Sequence, residues 1–451
     1  MKEKLLEKIE RLNETKNHQE IIDLIEALPT EQLDTELIGE LGRAYNNVGN
    51  YQKGLEILKS IENEEGNTAL WNWRVGYSYF FLKDFISAKK CFLKAHELNP
   101  HDNIVCDLLI KTYANLSRLE NKDGNSEKAI EYALESRKYT YDEKGIMKAD
   151  SFLAWLYNKY KEYTKAEEIL RNQLVRNKDD KWTLSELGYS LSGQEKYEEA
   201  IEKFEYVLSL EVEDEGDLEF IYSQLGWCHR HLWNFEKALE YYIKSKEEGR
   251  NDVWINTEIA ICYETLEKYE KALEYALIAY ELDRDDIHVL SELGVIYKYM
   301  KKHEEALEYF ERAMELGRND AWIFKMKGMS LLELKRYEEA LDSFKNAYDL
   351  NSDSWYLYSM GRCLRGLESY EEAIKVLLES RQISLAKEDV VDREDFELAY
   401  CYIGIGDKEN AQKYLDSARD SVTQRGVLND YIKEKIEEIE KGILSLDKFL
   451  N

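Results

Sequence analysis

A short sequence motif recurs along this chain at nearly constant spacing. Asp is followed two residues later by Trp, and Gly or Ala stands six residues after the Trp, in KDDKWTLSELG (178–188), RNDVWINTEIA (250–260), GRNDAWIFKMKG (317–328) and NSDSWYLYSMG (351–361). The residues that follow the Asp at positions 253, 287 and 321 are 34 residues apart. A period of this length in a chain of 451 residues predicts an array of similar units rather than several unrelated domains.

The period also fixes residue types inside each unit. If the residue after the Asp is position 1, positions 8 and 20 are small, position 17 is aromatic and position 24 is large and apolar, as at Gly328, Ala340, Tyr337 and Phe344. Apolar residues at i, i+3, i+4 and i+7 predict two amphipathic helices in each unit, which the small residues allow to approach closely. One such hairpin cannot bury both of its faces, so the units must stack.

The repeated Asp is explained by helix capping. It directly precedes position 1 at Asp102, Asp180, Asp252, Asp286, Asp320 and Asp353. An Asp in this place accepts a hydrogen bond from a backbone N–H of the first turn, and its charge complements the helix dipole. We therefore interpret these residues as helix N-caps rather than ligand contacts.

This pattern resembles the tetratricopeptide repeat family over nearly the whole chain. The resemblance implies an all-α, right-handed superhelical α-solenoid of about 11–12 helix-turn-helix units. We predict an N-terminal degenerate half-repeat or cap (1–34), an array of about eleven units (35–420) and C-terminal capping helices (421–451). The units start near residues 35, 69, 103, 147, 181, 219, 253, 287, 321, 354 and 392. The period is broken by a longer turn at 117–128 and by longer junctions at 211–217 and 384–391, which are either hinges or extra helical turns.

In the same family, positions 2, 5, 9, 12 and 13 of the first helix line a concave groove in which peptides bind. Seven of the nine tryptophans fall on these positions. The candidate groove residues are Trp73, Tyr77, Trp155, Trp182, Tyr189, Phe220, Trp227, Arg230, Trp254, Lys298, Trp322, Lys325, Trp355, Tyr358, Arg362 and Arg365. An alternative interpretation is that each Trp only covers the junction between adjacent first helices. A row of exposed aromatic side chains favours a binding surface, because large apolar patches and Trp anchors are typical of interfaces.

The distribution of charged residues limits the kinds of partner that this chain is expected to bind. The chain has 62 Lys and Arg against 91 Asp and Glu, and this excess of acid disfavours nucleic acid as a partner. At the groove positions of the eleven units the balance is reversed, with ten basic and four acidic residues. We therefore predict a protein or peptide partner, with an acidic or carboxylate-bearing segment and apolar anchors. The Lys/Asn/Lys/Arg carboxylate clamp of some family members is not matched, since Gly39 and Arg43 occupy its first Lys and Asn positions.

Other functional classes lack a supporting motif. The N-terminus has no apolar signal-peptide core and no stretch reaches 18 uncharged apolar residues, so we expect a cytoplasmic protein without a membrane partner. Cys228, Cys262, Cys363 and Cys401 occur once per unit at position 10 and cannot converge on a metal ion. No catalytic motif or cofactor motif is present, so we expect a non-catalytic scaffold that binds proteins or peptides. The alternative is a peptide-responsive regulator of the signalling-peptide receptor type, acting through a partner protein.

Overall fold

The computed structural model describes residues 2–210 and 218–449, with side chains described as far as residue 446. Those residues form helices and connecting turns, with no β-strand among them. The chain divides into two compact units, unit 1 (Met1–Gly216) and unit 2 (Asp217–Asn451).

Unit 1 contains thirteen α-helices and one 3₁₀ turn at Thr30–Gln32 within its described residues. The helices are α1 (Lys2–Glu14), α2 (His18–Glu26), α3 (Thr35–Asn47), α4 (Tyr51–Lys59), α5 (Glu62–Glu65), α6 (Ala69–Phe81), α7 (Phe85–Leu98), α8 (Asn103–Lys122), α9 (Ser126–Arg137), α10 (Glu143–Lys159), α11 (Tyr163–Arg176), α12 (Lys181–Gly193) and α13 (Tyr197–Ser209).

Unit 2 contains thirteen further α-helices among its described residues. They are α14 (Leu218–His231), α15 (Phe235–Glu247), α16 (Val253–Thr265), α17 (Tyr269–Leu282), α18 (Ile287–Tyr299), α19 (His303–Glu315), α20 (Ala321–Glu333), α21 (Tyr337–Leu350), α22 (Ser354–Gly366), α23 (Tyr370–Ala386), α24 (Asp392–Gly404), α25 (Lys408–Gln424) and α26 (Asp430–Phe449).

Successive helices pack as pairs, as α16 does with α17 and α18 with α19. The first helix of a pair also contacts the first helix of the next pair, as α16 does with α18 and α18 with α20. A Cβ atom added to Gly188 would lie 2.7 Å from the ring of Phe204, so only glycine allows α12 and α13 to approach this closely. The predicted all-α repeat of helix-turn-helix units is confirmed.

The six aspartates cap the first helices as predicted. Asp252 accepts a hydrogen bond from the backbone N–H of Ile255, and Asp286 accepts one from Val289, at 2.8 and 2.9 Å. Asp180 and Asp320 make the same bond to the residue three positions ahead. Asp102 accepts from the residues two and three ahead, and Asp353 from the residue two ahead. Each satisfies a backbone donor that the helix itself leaves unpaired.

The breaks in the period have different structures. At 117–128 the second of the two alternatives, extra helical turns, describes the structure, because α8 continues to Lys122 and only a few residues precede α9. The extension is held in the core, where Ser117 Oγ donates a hydrogen bond of 2.6 Å to the Ala129 carbonyl. At 384–391, α23 continues to Ala386 and a short connection leads to α24. Segment 211–217 lies outside the described residues.

Candidate binding surface of the first helices

In unit 1, Trp73 and Tyr77 form the centre of an aromatic cluster. Their ring centroids are 6.0 Å apart, and the Tyr77 ring lies 4.6 Å from that of Phe81. Phe81 in turn stacks on Tyr51 of α4 at 4.7 Å. The indole Nε1 of Trp73 is buried and has no hydrogen-bond partner among the described residues. The structure therefore brings two predicted groove residues together and adds two aromatic rings to them.

The other candidates of unit 1 lie further along it. Trp155 and Trp182 are the most open of the predicted tryptophans, with 37% and 39% of their surface exposed. Tyr189 is half-buried, and its ring meets that of Tyr163 edge-on at 6.2 Å. These side chains belong to α10 and α12 and are separate from the cluster around Trp73.

In unit 2, the recurring tryptophan at position 2 is half-buried against the preceding pair. Trp254 contacts Tyr242 edge-on at a centroid distance of 5.7 Å, and Trp355 contacts Phe344 in the same way at 5.7 Å. Trp322 packs on the core cluster that contains Phe310. These tryptophans therefore pack against the second helix of the preceding pair and also keep part of their surface in solvent.

An arginine covers two of these tryptophans. The guanidinium carbon of Arg250 lies 4.6 Å from the Trp254 ring centroid, and that of Arg318 lies 4.3 Å from Trp322. Both arginines also donate a hydrogen bond to a serine of the preceding first helix, at 2.7 and 2.6 Å. This cation–π contact was not predicted, although an Arg four residues before the Trp is visible in RNDVW and RNDAW.

Trp355 has a different neighbour and borders a cleft. The motif that contains Trp355 has no arginine four residues before the Trp. Instead, the Lys325 amine lies 4.6 Å from the Trp355 ring centroid. The cleft, here called the α18–α22 cleft, has a volume of about 370 Å³. It is lined by Lys298, Tyr299, Lys301, His303, Met329, Leu332, Glu333, Phe344, Trp355, Ser359 and Arg362. The structure thus brings three predicted residues, Lys298, Trp355 and Arg362, to one site.

The cations of this site make no close ion pair among the described residues. The carboxylate of Glu333 nevertheless lines the same cleft. The charges of Glu264 and Glu397 act on Lys298 and Arg362, respectively, from a greater distance. Lys298, Lys325 and Arg362 make no ion pair within the part of the chain that the structure describes. The Lys298 amine lies 3.8 Å from the Tyr299 ring centroid, and burial lowers the pKa of this lysine. Burial therefore makes the charged form of Lys298 less favourable in free energy, and a bound anion would reduce this penalty.

Two other predicted cations are already paired. Arg230 Nε lies 2.7 Å from Glu258, and Arg365 Nε lies 2.7 Å from Glu397. Both glutamates are buried, and Glu397 also accepts a bond of 3.1 Å from Lys435. These carboxylates were not predicted, because they stand at position 6, which is not one of the groove positions. The surplus of basic charge on this face is therefore smaller than the sequence count indicates.

The three remaining candidates are aromatic. Trp227 lies between the Trp254 ring at 6.1 Å and the Arg230 guanidinium at 5.3 Å. Tyr358 is half-buried, with the Arg362 and Arg393 guanidinium groups 6.0 and 5.3 Å from its ring. Phe220 is half-buried near the start of α14.

Other kinds of site have little support in the described residues. The four cysteines at position 10 are buried one per pair, and burial raises the pKa of each thiol to about 12. Residues 2–210 and 218–449 contain no group of three or more His, Cys, Asp or Glu side chains suited to a metal ion. None of the helices described is both long enough and apolar enough to cross a membrane.

Models of the tetratricopeptide repeat match the chain in both units. One model matches residues 252–319 and 285–353, a second matches 325–384 and a third matches 72–102. No curated protein matches the chain.

The solved structures that are similar to this chain include YrrB, Cut9–Hcn1 and Tom70. YrrB, a TPR protein with an unusual peptide-binding site, is 22% identical over 45% of this chain and 99% of its own, with a TM-score of 0.38. The APC/C hetero-tetramer Cut9–Hcn1 is 14% identical over 87% of this chain and 88% of its own, with a TM-score of 0.46. Yeast Tom70 is 15% identical over 99% of this chain and 95% of its own, with a TM-score of 0.37.

Proposed function

We propose that this chain, which belongs to the tetratricopeptide repeat family, is a non-catalytic scaffold that holds a protein segment in the α18–α22 cleft of unit 2. The segment carries a carboxylate and at least one large apolar side chain. The observation that carries this proposal is the convergence of Trp355 with Lys298 and Arg362, two cations without an internal ion pair, at one cleft.

The size and lining of the cleft support a side chain as its occupant. A volume of about 370 Å³ is at the lower end of the range for ligand pockets and suits one or two side chains rather than a folded surface. Tyr299, Phe344 and Trp355 supply an aromatic wall, which favours an apolar or aromatic anchor. Arg362 presents a planar donor group that suits a carboxylate, and Lys298 adds a second positive charge.

The proposal is tested by selecting peptides from a library of random dodecapeptides that have a free carboxyl terminus. We expect the selected peptides to combine Asp, Glu or the terminal carboxylate with Trp, Phe, Leu or Met. A synthetic peptide of the selected sequence should lose at least about tenfold in affinity against Arg362→Gln, since a charge-assisted hydrogen bond contributes roughly 1.5–3 kcal/mol. Trp355→Ala should weaken binding by a similar factor.

Two matched variants serve as controls. Trp233→Ala removes a tryptophan that is 79% exposed and lies outside the cleft, and Lys375→Gln removes an exposed cation of α23. Both should bind the peptide as the wild type does. Selection of basic peptides, or equal affinity of Arg362→Gln and the wild type at unchanged helicity, would contradict the proposal.

A further inference from the structure

First helices of neighbouring pairs meet through two fixed positions. The side chain at position 12 of one first helix faces position 6 of the next. Arg230 and Arg365 reach Glu258 and Glu397 in this way, each at 2.7 Å. In unit 1, Asn158 Nδ2 donates a hydrogen bond of 2.7 Å to the carboxylate of Glu186 from the same two positions. At these three junctions a hydrogen-bond donor therefore stands opposite the carboxylate.

The junction between α16 and α18 differs from these three, because both positions hold glutamate. Glu264 is position 12 of its unit and Glu292 is position 6 of the next. The Glu292 Oε1 oxygen is buried and has no hydrogen-bond partner among the described residues. Glu264 accepts a bond of 3.3 Å from its own neighbour Thr265. Two carboxyl groups thus stand where those three junctions place a carboxylate and a donor.

The surrounding charges do not supply the missing donor. Burial and the carboxylates of Glu264 and Glu258 raise the pKa of Glu292 to about 8, and the more distant Arg230 opposes them only in part. Lys298 lies on the same helix as Glu292. Its positive charge interacts with the carboxylate of Glu264, but these two side chains make no ion pair within 4.0 Å. The positive charge of Lys325 on α20 contributes to lowering the pKa of Lys298.

We propose that Glu264 and Glu292 form a binding site for an ammonium or guanidinium group of a ligand, such as a lysine or arginine side chain of a bound protein segment. The incoming cation takes the place that Arg230 and Arg365 fill at their own junctions. Both glutamates are half-buried as whole residues, but the Oε1 oxygen of Glu292 is itself buried, so an incoming cation must displace the groups that cover this oxygen. A charged donor stabilises a buried carboxylate more than a neutral donor does.

The site also constrains a partner that reaches the α18–α22 cleft, a point that rests on the proposed function. Glu292 and Lys298 are six residues apart on α18, which corresponds to about 9 Å along the helix axis. A segment that occupies both places would carry a basic group about 9 Å from its carboxylate.

The test uses the full chain and a small probe, n-butylammonium, with 1-pentanol as a neutral probe of similar shape. Binding is measured by saturation-transfer NMR titration at pH 7.5. We expect saturable binding of the ammonium that is weakened at least fivefold in Glu292→Gln and in Glu264→Gln. Glu371→Gln, which changes an exposed glutamate of α23, should bind as the wild type does. Pentanol should show no difference between the variants.

The dependence on pH gives a second readout. If the cation binds only the ionised Glu292 carboxylate, affinity for butylammonium rises about tenfold between pH 7 and pH 9, because the pKa near 8 leaves about one-tenth of the group ionised at pH 7. Glu292→Gln should lose this rise. Equal affinity of wild type and Glu292→Gln at both pH values, with helicity unchanged, would overturn the proposal. Trp355→Ala should not affect butylammonium, so failure of the cleft and failure of this site are distinguishable.

Discussion

Glu292 carries a carboxyl group whose ionisation the folded protein opposes. Its pKa is raised from 4.5 to about 8, first by burial and then by the charges of Glu264 and Glu258. The folded state therefore binds this proton more tightly than the unfolded state does. The resulting stability is fully present below pH 4.5 and is lost as the pH rises through about 8. The slope from one such group is at most about 1.4 kcal/mol per pH unit.

A substitution isolates this contribution. Glu292→Gln keeps the shape of the side chain and removes its titration, so the variant should gain stability relative to the wild type as the pH rises from 5 to 9. Urea denaturation of both proteins at pH 5, 7 and 9, followed by circular dichroism, measures the difference. Glu371→Gln should show a constant difference from the wild type. A constant difference for Glu292→Gln as well would mean that Glu292 titrates alike in the folded and unfolded chain.

At the scale of the element, each pair depends on one close contact between its two helices. In unit 1, a methyl group at position 188 would lie 2.7 Å from the Phe204 ring, which is fully buried. We expect Gly188→Ala to destabilise the protein by about 1–3 kcal/mol through overpacking, although alanine is the better helix former by about 1 kcal/mol. The urea midpoint of the transition measures this loss.

The double variant identifies the cause. Phe204→Leu alone removes ring volume from the core and should be destabilising, whereas Gly188→Ala with Phe204→Leu should cost less than the sum by at least about 0.5 kcal/mol. Additive losses would show that the ring is not what excludes a side chain from position 188. The same reasoning applies to Gly328 and Phe344 in unit 2, where the distance is also 2.7 Å.

At the scale of the whole molecule, the period of 34 residues predicted the positions of the first helices closely. Those at Thr35, Lys181 and Val253 begin at the predicted residue, since the Asp caps and small residues are local signals. The helix at Asp392 also begins where predicted, although its N-cap, Val391, makes no side-chain hydrogen bond. The helix α10 begins at Glu143 rather than at the predicted 147, because Asp142 caps it by accepting a hydrogen bond from the backbone N–H of Gly145. For 117–128 the sequence left a hinge and extra helical turns as alternatives, because the charged residues there fit either, and the structure has the helical extension of α8.

The candidate surface was only partly predictable. The stripe on the first helices located Trp355, Lys298 and Arg362, but periodicity on one helix gives no information on the side chains of its neighbours. Arg230 and Arg365 were therefore counted as available cations, although Glu258 and Glu397 neutralise them from the next helix. The covering of Trp254 by Arg250 was missed for the same reason, because the arginine belongs to the connection before the helix.

The charge of the whole chain and the charge of the cleft act on an acidic ligand in opposite directions. The chain carries a formal charge of −29, which repels an acidic segment, whereas Lys298 and Arg362 attract it. The acids are spread over 451 residues and most lie beyond the Debye length of about 10 Å at 0.1 M salt, so the nearby cations should decide the sign. We expect the affinity of the selected acidic peptide to fall at least threefold between 0.1 and 1 M NaCl, where the Debye length is about 3 Å. Arg362→Gln should show a smaller fall, and Lys375→Gln should follow the wild type. An affinity that rises with salt would show that repulsion by the whole chain outweighs the cleft, and that its partner is not acidic.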